Sequence, residues 1–115
     1  MRRFQRTIKN SIQCDGIGLH TGKPVRMTLK PAPAGTGILF VRTDLGNAQV
    51  KAVVANTAAT SYATTLSQNG VLVKTVEHLL AAFAGLHIDN AYVEIDTDEV
   101  PIMDGSARPF VRLIA

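Results

Sequence analysis

The sequence predicts an α+β domain of two layers, a mostly antiparallel sheet with helices on one face. Three observations predict it. Short alternating apolar segments occupy the first two thirds of the chain. A helical repeat follows at 75–86, then one more alternating segment, then the start of a second helix at Phe110. Strands followed by helix, strand and helix fit an α+β arrangement better than the regular alternation of a parallel sheet. Finally, 115 residues with 46% hydrophobic content suit one domain with a modest core, packed by aliphatic side chains because Trp is absent and aromatics make up 5%.

Each element follows from its local pattern. Residues 6–14 alternate loosely through Ile8, Ser11, Ile12 and Cys14 and read as a strand. Asp15-Gly16-Ile17-Gly18 reads as a turn, because glycine supplies positive φ. Val25, Met27 and Leu29 alternate with Arg26, Thr28 and Lys30, giving a half-buried strand with one wet face. A loop at 31–37 leads to a strand at 38–41, closed by Asp44-Leu45-Gly46-Asn47. Residues 49–55 read as a strand, and 61–67 with 71–73 as a hairpin around Gln68-Asn69-Gly70. In the helix at 75–86, Thr75 is the expected N-cap and Gly85 the expected end. Val76, Leu79, Leu80 and Phe83 form its core stripe at i, i+3, i+4, i+7 spacing. Residues 90–96 form a strand, 100–106 a shaped loop, and 110–115 the opening turns of a second helix.

Charge and composition exclude several classes. The formal charge is +3, but Lys and Arg are dispersed and not interleaved with aromatics, which argues against a nucleic-acid footprint. A mild positive field would suit an anionic small molecule such as a nucleotide sugar. Cys14 is the single cysteine, so no intramolecular disulfide can form; a buried thiol in a reduced, cytoplasmic setting is expected. Met1-Arg2-Arg3-Phe4-Gln5-Arg6 has no apolar run behind it, so no signal peptide is expected. No stretch approaches the ~20 apolar residues of a membrane-spanning helix.

Thr75-Val76-Glu77-His78 sets a carboxylate beside an imidazole on the first helical turn, off the core stripe. That pairing is half of a metal-hydrolase site: a zinc ligand with a general base next to it. Alone the pair is a weak signal, since an exposed polar pair starting a helix looks the same and the two-histidine i, i+4 spacing is missing. A catalytic zinc also needs three protein ligands. His87 lies roughly 13 Å further along the helix, too far to share a metal with His78. His20, in Gly18-Leu19-His20-Thr21-Gly22, is either a solvated loop residue or one that lines a site. Ala81, Ala82 and Ala84 give the helix a bare outer face where Lys or Gln would be ordinary, which suggests close approach by another element or domain.

Several segments together resemble the bacterial UDP-3-O-acyl-N-acetylglucosamine deacetylases, zinc amidases of lipid A synthesis. They are Gln5-Arg6-Thr7-Ile8, Gly16-Ile17-Gly18-Leu19-His20-Thr21-Gly22, Pro31-Ala32-Pro33 with Gly35-Thr36-Gly37, and Arg42-Thr43-Asp44. Thr75-Val76-Glu77-His78-Leu79, Ala84-Gly85-Leu86, Ile88-Asp89-Asn90 and Pro101-Ile102-Met103-Asp104-Gly105-Ser106-Ala107 complete the set. The resemblance implies two similar α+β domains with the active site between them, this chain (1–115) matching the first and carrying a small inserted sheet at roughly 48–73. It implies zinc bound by His78, with Glu77 as general base, and further ligands in a second domain absent from these residues. It places His20, Tyr62 and Ala63 near the substrate, a nucleotide-sugar lipid, and assigns no chemistry to Asp104-Gly105-Ser106. The alternative is an isolated structural or docking module, inactive without its second domain and expected to self-associate through Ala81, Ala82 and Ala84.

Overall fold

The computed structural model describes residues 4–58, 64–103 and 105–115. In chain order its elements are β1 (Ile12–Ile17), β2 (Pro24–Pro31), β3 (Ile38–Arg42), β4 (Ala48–Lys51), β5 (Thr57–Ala58), β6 (Thr65–Gln68), β7 (Val71–Lys74), α1 (Glu77–Gly85), β8 (Ala91–Ile95) and α2 (Arg108–Ile114). Short 3-10 turns at Thr43–Leu45 and Val54–Asn56 flank β4. No described helix is long and apolar enough to cross a membrane.

Five strands form the main sheet in the order β1-β2-β8-β3-β4, and three form a small sheet in the order β5-β6-β7. All pairings are antiparallel except β3 with β8. Register explains the core. Ile12, Leu29, Val93, Phe40 and Val50 stand opposite one another in a row across all five strands, with Cys14, Met27 and Ile95 in the neighbouring row. Side chains alternate faces, so this face of the sheet is apolar apart from the buried Arg42, which stands opposite Ile95. The other face carries Thr28, Lys30, Tyr92 and Glu94, including a Lys30–Glu94 ion pair at 3.0 Å. Leu79, Ala82 and Phe83 of α1 and Phe110 of α2 join the apolar face in one core cluster, together with Leu66 and Val73 of the small sheet.

Most expected elements are present, and the differences have physical causes. Asp15, Gly16 and Ile17 continue β1 instead of turning. Gly16 is needed there for close approach: a Cβ would lie 2.7 Å from the Pro101 side chain. The small sheet starts at Thr57, because β4 pairs with β3 and closes an edge of the main sheet. The Asn69-Gly70 hairpin forms between β6 and β7, and both turn residues hold positive φ as a type I′ turn requires.

Helix α1 begins two residues later than expected, and Thr75 is not its N-cap. Thr75 holds φ +61 and its hydroxyl is engaged elsewhere; the capping position falls to Val76, with no side-chain cap. The helix ends as a Schellman motif, with Ile88 N–H to Phe83 C=O at 2.9 Å and His87 N–H to Ala84 C=O at 3.2 Å. His87 fills the left-handed position at φ 57, so its place in the fold is a backbone one. The expected bare alanine face is narrower than the sequence suggested: Ala82 is fully buried in the core, and only Ala81 and Ala84 are exposed. The buried stripe thus includes Ala82 besides Val76, Leu79 and Phe83, and α2 packs against the same helix.

Candidate active site at the start of the helix

Glu77 and His78 are the first two residues of α1, and both are partly buried. They arrive there because the chain leaves β7 at Lys74 and turns into the helix within two residues. Thr75 makes that turn with its left-handed φ, a conformation a β-branched side chain rarely adopts. The turn is held on both sides. Lys74 N–H donates to Asp98 C=O at 2.6 Å, and Val76 N–H donates to Thr64 C=O at 3.2 Å.

The same Thr64 fixes the carboxylate. Its N–H donates to Glu77 Oε2 at 3.0 Å. Glu77 Oε1 is buried and has no hydrogen-bond partner among the described residues. A buried, unpaired carboxylate oxygen is unusual and calls for a function or a ligand. The arrangement therefore offers one anchored oxygen and one without a partner among the described residues, on the residue that precedes His78.

A second cluster adjoins the first, centred on Glu99, which is fully buried. Its Oε1 accepts from the His20 and Thr21 backbone N–H groups, each at 2.9 Å. Its Oε2 accepts from the Thr75 hydroxyl at 2.5 Å and from His20 Nδ1 at 2.8 Å. The segment is threaded into place by its backbone: Val100 N–H donates to Lys74 C=O at 3.1 Å, and Ile102 N–H donates to Ile17 C=O at 2.9 Å. Gly18 completes the cradle, since a Cβ there would collide with the Glu99 carboxylate. Burial pushes the Glu99 carboxyl up, but hydrogen bonds from Thr75, Thr21 and His20 outweigh it and bring it from 4.5 down to about 2. Glu99 is thus ionised at neutral pH.

The structure brings His20 against Thr75, with Nδ1 and Oγ1 3.4 Å apart, and so to the start of the motif that carries Glu77 and His78. Glu77 lies two residues beyond Thr75, at most ~7.6 Å along the chain by Cα spacing. Tyr62, Ala63 and Asp104 lie outside the described residues. Among the described residues no three His, Cys, Asp or Glu side chains converge as a metal site would need. A separate cavity of about 410 Å³, lined by Ile8, Ile12, Leu86, Ile88, Leu113 and Ile114 among others, shares no residue with the Glu77 and Glu99 clusters.

Residues 5–115 match the profile of the LpxC family, described as UDP-3-O-acyl N-acetylglycosamine deacetylase. The chain belongs to this deacetylase family. Among its relatives, the UDP-3-O-acyl-N-acetylglucosamine deacetylase of Saccharophagus degradans is 59% identical over 96% of this chain, and that of Chromohalobacter salexigens 58% over 96%. The Solibacter usitatus deacetylase is 52% identical over 98% of the chain. The chain spans only 37–38% of the length of these relatives. The deacetylase motif around Glu77 and His78 was visible from sequence; Glu99 was not. Nothing in Thr97-Asp98-Glu99-Val100-Pro101 distinguishes it from a solvated acidic loop, because its partners lie 24 to 79 residues away.

Proposed function

We propose that this chain supplies the first half of the active site of a zinc-dependent hydrolase. That enzyme removes the acetyl group from an acylated UDP-N-acetylglucosamine, in lipid A synthesis in the cytoplasm. The observation that carries the proposal is Glu77, which precedes His78 in the chain: one carboxylate oxygen is fixed by the Thr64 N–H, and the other is buried with no partner among the described residues. A carboxylate so held can take a proton from an attacking water without reorganising.

The donor set fits zinc as part of a site. His78 would be one ligand, and the remaining ligands would come from outside the described residues, since no three donors converge within them. When bound, zinc would supply Lewis-acid polarisation of the amide and acidify water. The chain's own contribution is to hold Glu77 in position and to keep its free oxygen away from bulk water. The names of the relatives support the substrate class, and the short span supports a need for a second domain. The alternative for the chain by itself is a structural or docking module that acts only when joined to that domain.

In a complete deacetylase carrying these residues, Glu77→Gln should lower kcat by about 100-fold or more with KM changed little. Turnover within a few fold of the parent would remove Glu77 from the chemistry. The 115-residue chain alone should retain little zinc after dialysis. Stoichiometric zinc that is lost in His78→Ala would show instead that the chain completes its own site.

A further inference from the structure

Glu99 is a buried carboxylate that the proposed hydrolysis does not use. Oε1 accepts from the His20 and Thr21 backbone N–H groups, and Oε2 accepts from the Thr75 hydroxyl and, more weakly, from the same His20 N–H at 3.2 Å. An ionised carboxylate can only accept. The His20 nitrogen 2.8 Å from Oε2 must therefore carry its proton on Nδ1. In the neutral form of the ring the lone pair then lies on Nε2, on a side chain that retains 38% exposure.

We propose that Glu99 is a positioning residue for His20. It locks the Nδ1–H tautomer and the ring orientation, so that Nε2 meets the substrate as a hydrogen-bond acceptor for an O–H or N–H donor. The neighbouring contacts make the lock rigid. The two backbone N–H groups of His20 and Thr21 hold Oε1, and the Thr75 hydroxyl holds Oε2. Because Thr75 leads directly into Glu77 and His78, the same carboxylate ties the His20 loop to the start of α1. The proposal rests on the deacetylase reading only for what Nε2 faces; the tautomer does not depend on it.

The geometry predicts an unusual response to Glu99→Gln. The backbone N–H groups at Oε1 cannot reverse, so the amide oxygen must take that place. The amide NH2 is then forced into the Oε2 position, facing His20 Nδ1. Nδ1 must become an acceptor there, and the proton moves to Nε2. The Thr75 hydroxyl can rotate to accept instead. One isosteric substitution should therefore invert the tautomer while keeping the fold.

The test is long-range 1H–15N correlation of histidine-labelled chain at neutral pH, with the His20 signals assigned by His20→Gln. The parent should show protonated Nδ1 and unprotonated Nε2, and Glu99→Gln should show the reverse. A parent spectrum with the proton on Nε2 overturns the proposal, and it decides the question even if the variant does not fold. A folded Glu99→Gln chain whose His20 tautomer is unchanged overturns it as well. In the complete deacetylase, Glu99→Gln and His20→Ala should each lower kcat/KM by about 10- to 100-fold, as loss of an orienting partner does. The double variant should be no worse than either alone. Inverted tautomer with kcat/KM within twofold of the parent would overturn the substrate role. If the parent enzyme fails to hydrolyse the substrate, the deacetylase reading falls, while the spectrum still decides the positioning.

Discussion

Acid should destabilise this domain through Glu99. Its carboxyl lies near 4.5 in an unfolded chain and at about 2 in the fold. A group with a depressed folded-state value contributes stability that is complete above the unfolded value and lost as pH falls toward the folded one. At 1.36 kcal/mol per pH unit, the drop from 4.5 to about 2 corresponds to roughly 3 kcal/mol. About 2 kcal/mol of it should already be gone at pH 3, by the same linkage. Domains of this size are stable by about 5–15 kcal/mol, so the loss is a substantial share. Urea unfolding of the parent and Glu99→Gln at pH 5, 4 and 3, with pH 7 as reference, reads the effect, because titrating groups away from Glu99 and its partner His20 are common to both chains. The parent should be the more stable by a few kcal/mol at pH 7, and the gap should narrow steadily below pH 4.5. A gap that stays constant from pH 7 to pH 3 would show that Glu99 is not held as an ionised acceptor, and the reasoning about its donors would fail.

His87→Gly should raise stability by about 1 kcal/mol, read as a higher urea midpoint, because glycine takes the left-handed position without the penalty of a Cβ. Arg42→Lys should lower stability by about 2 kcal/mol in the same assay. Lysine cannot reproduce the paired bonds to Asp44 at 2.9 and 2.7 Å together with the 2.7 Å bond to Leu72 C=O that joins the main sheet to the small one.

Much of the fold could be read from the sequence because its signals are local. Alternation at Val25, Met27 and Leu29 marks β2, and Asn69-Gly70 marks the hairpin; each needs only its neighbours to act. The failures share a different cause. Gly16 looked like a turn residue, yet its lack of a side chain serves Pro101, 85 positions away, which no local pattern reveals. Ala82 looked like part of an open face because helical periodicity alone does not show how far the core will reach around a helix. Thr75 looked like an N-cap since a hydroxyl before a helix has that use locally. The buried Glu99 offers the hydroxyl a charged acceptor, and a charge-assisted bond is roughly twice as strong as a neutral one.

The candidate site divides along the same line. Glu77 and His78 are adjacent in sequence, so their pairing was visible at once; the device that holds them was not. Thr75 at φ +61 carries strain of about 1–3 kcal/mol, which persists only where the surroundings over-determine it. Here they do. Asp98 C=O holds the amide before Thr75, Thr64 C=O the amide after it, and Glu99 the hydroxyl between. Relaxing Thr75 would swing the first turn of α1 away from the Thr64 N–H that fixes Glu77. The strained turn is thus what converts a strand end into a placed carboxylate. The buried charge of Glu99 keeps that turn strained and also orients His20. Support for the helix and orientation of the imidazole come from a single ionised group, so a change at Glu99 reaches both clusters together.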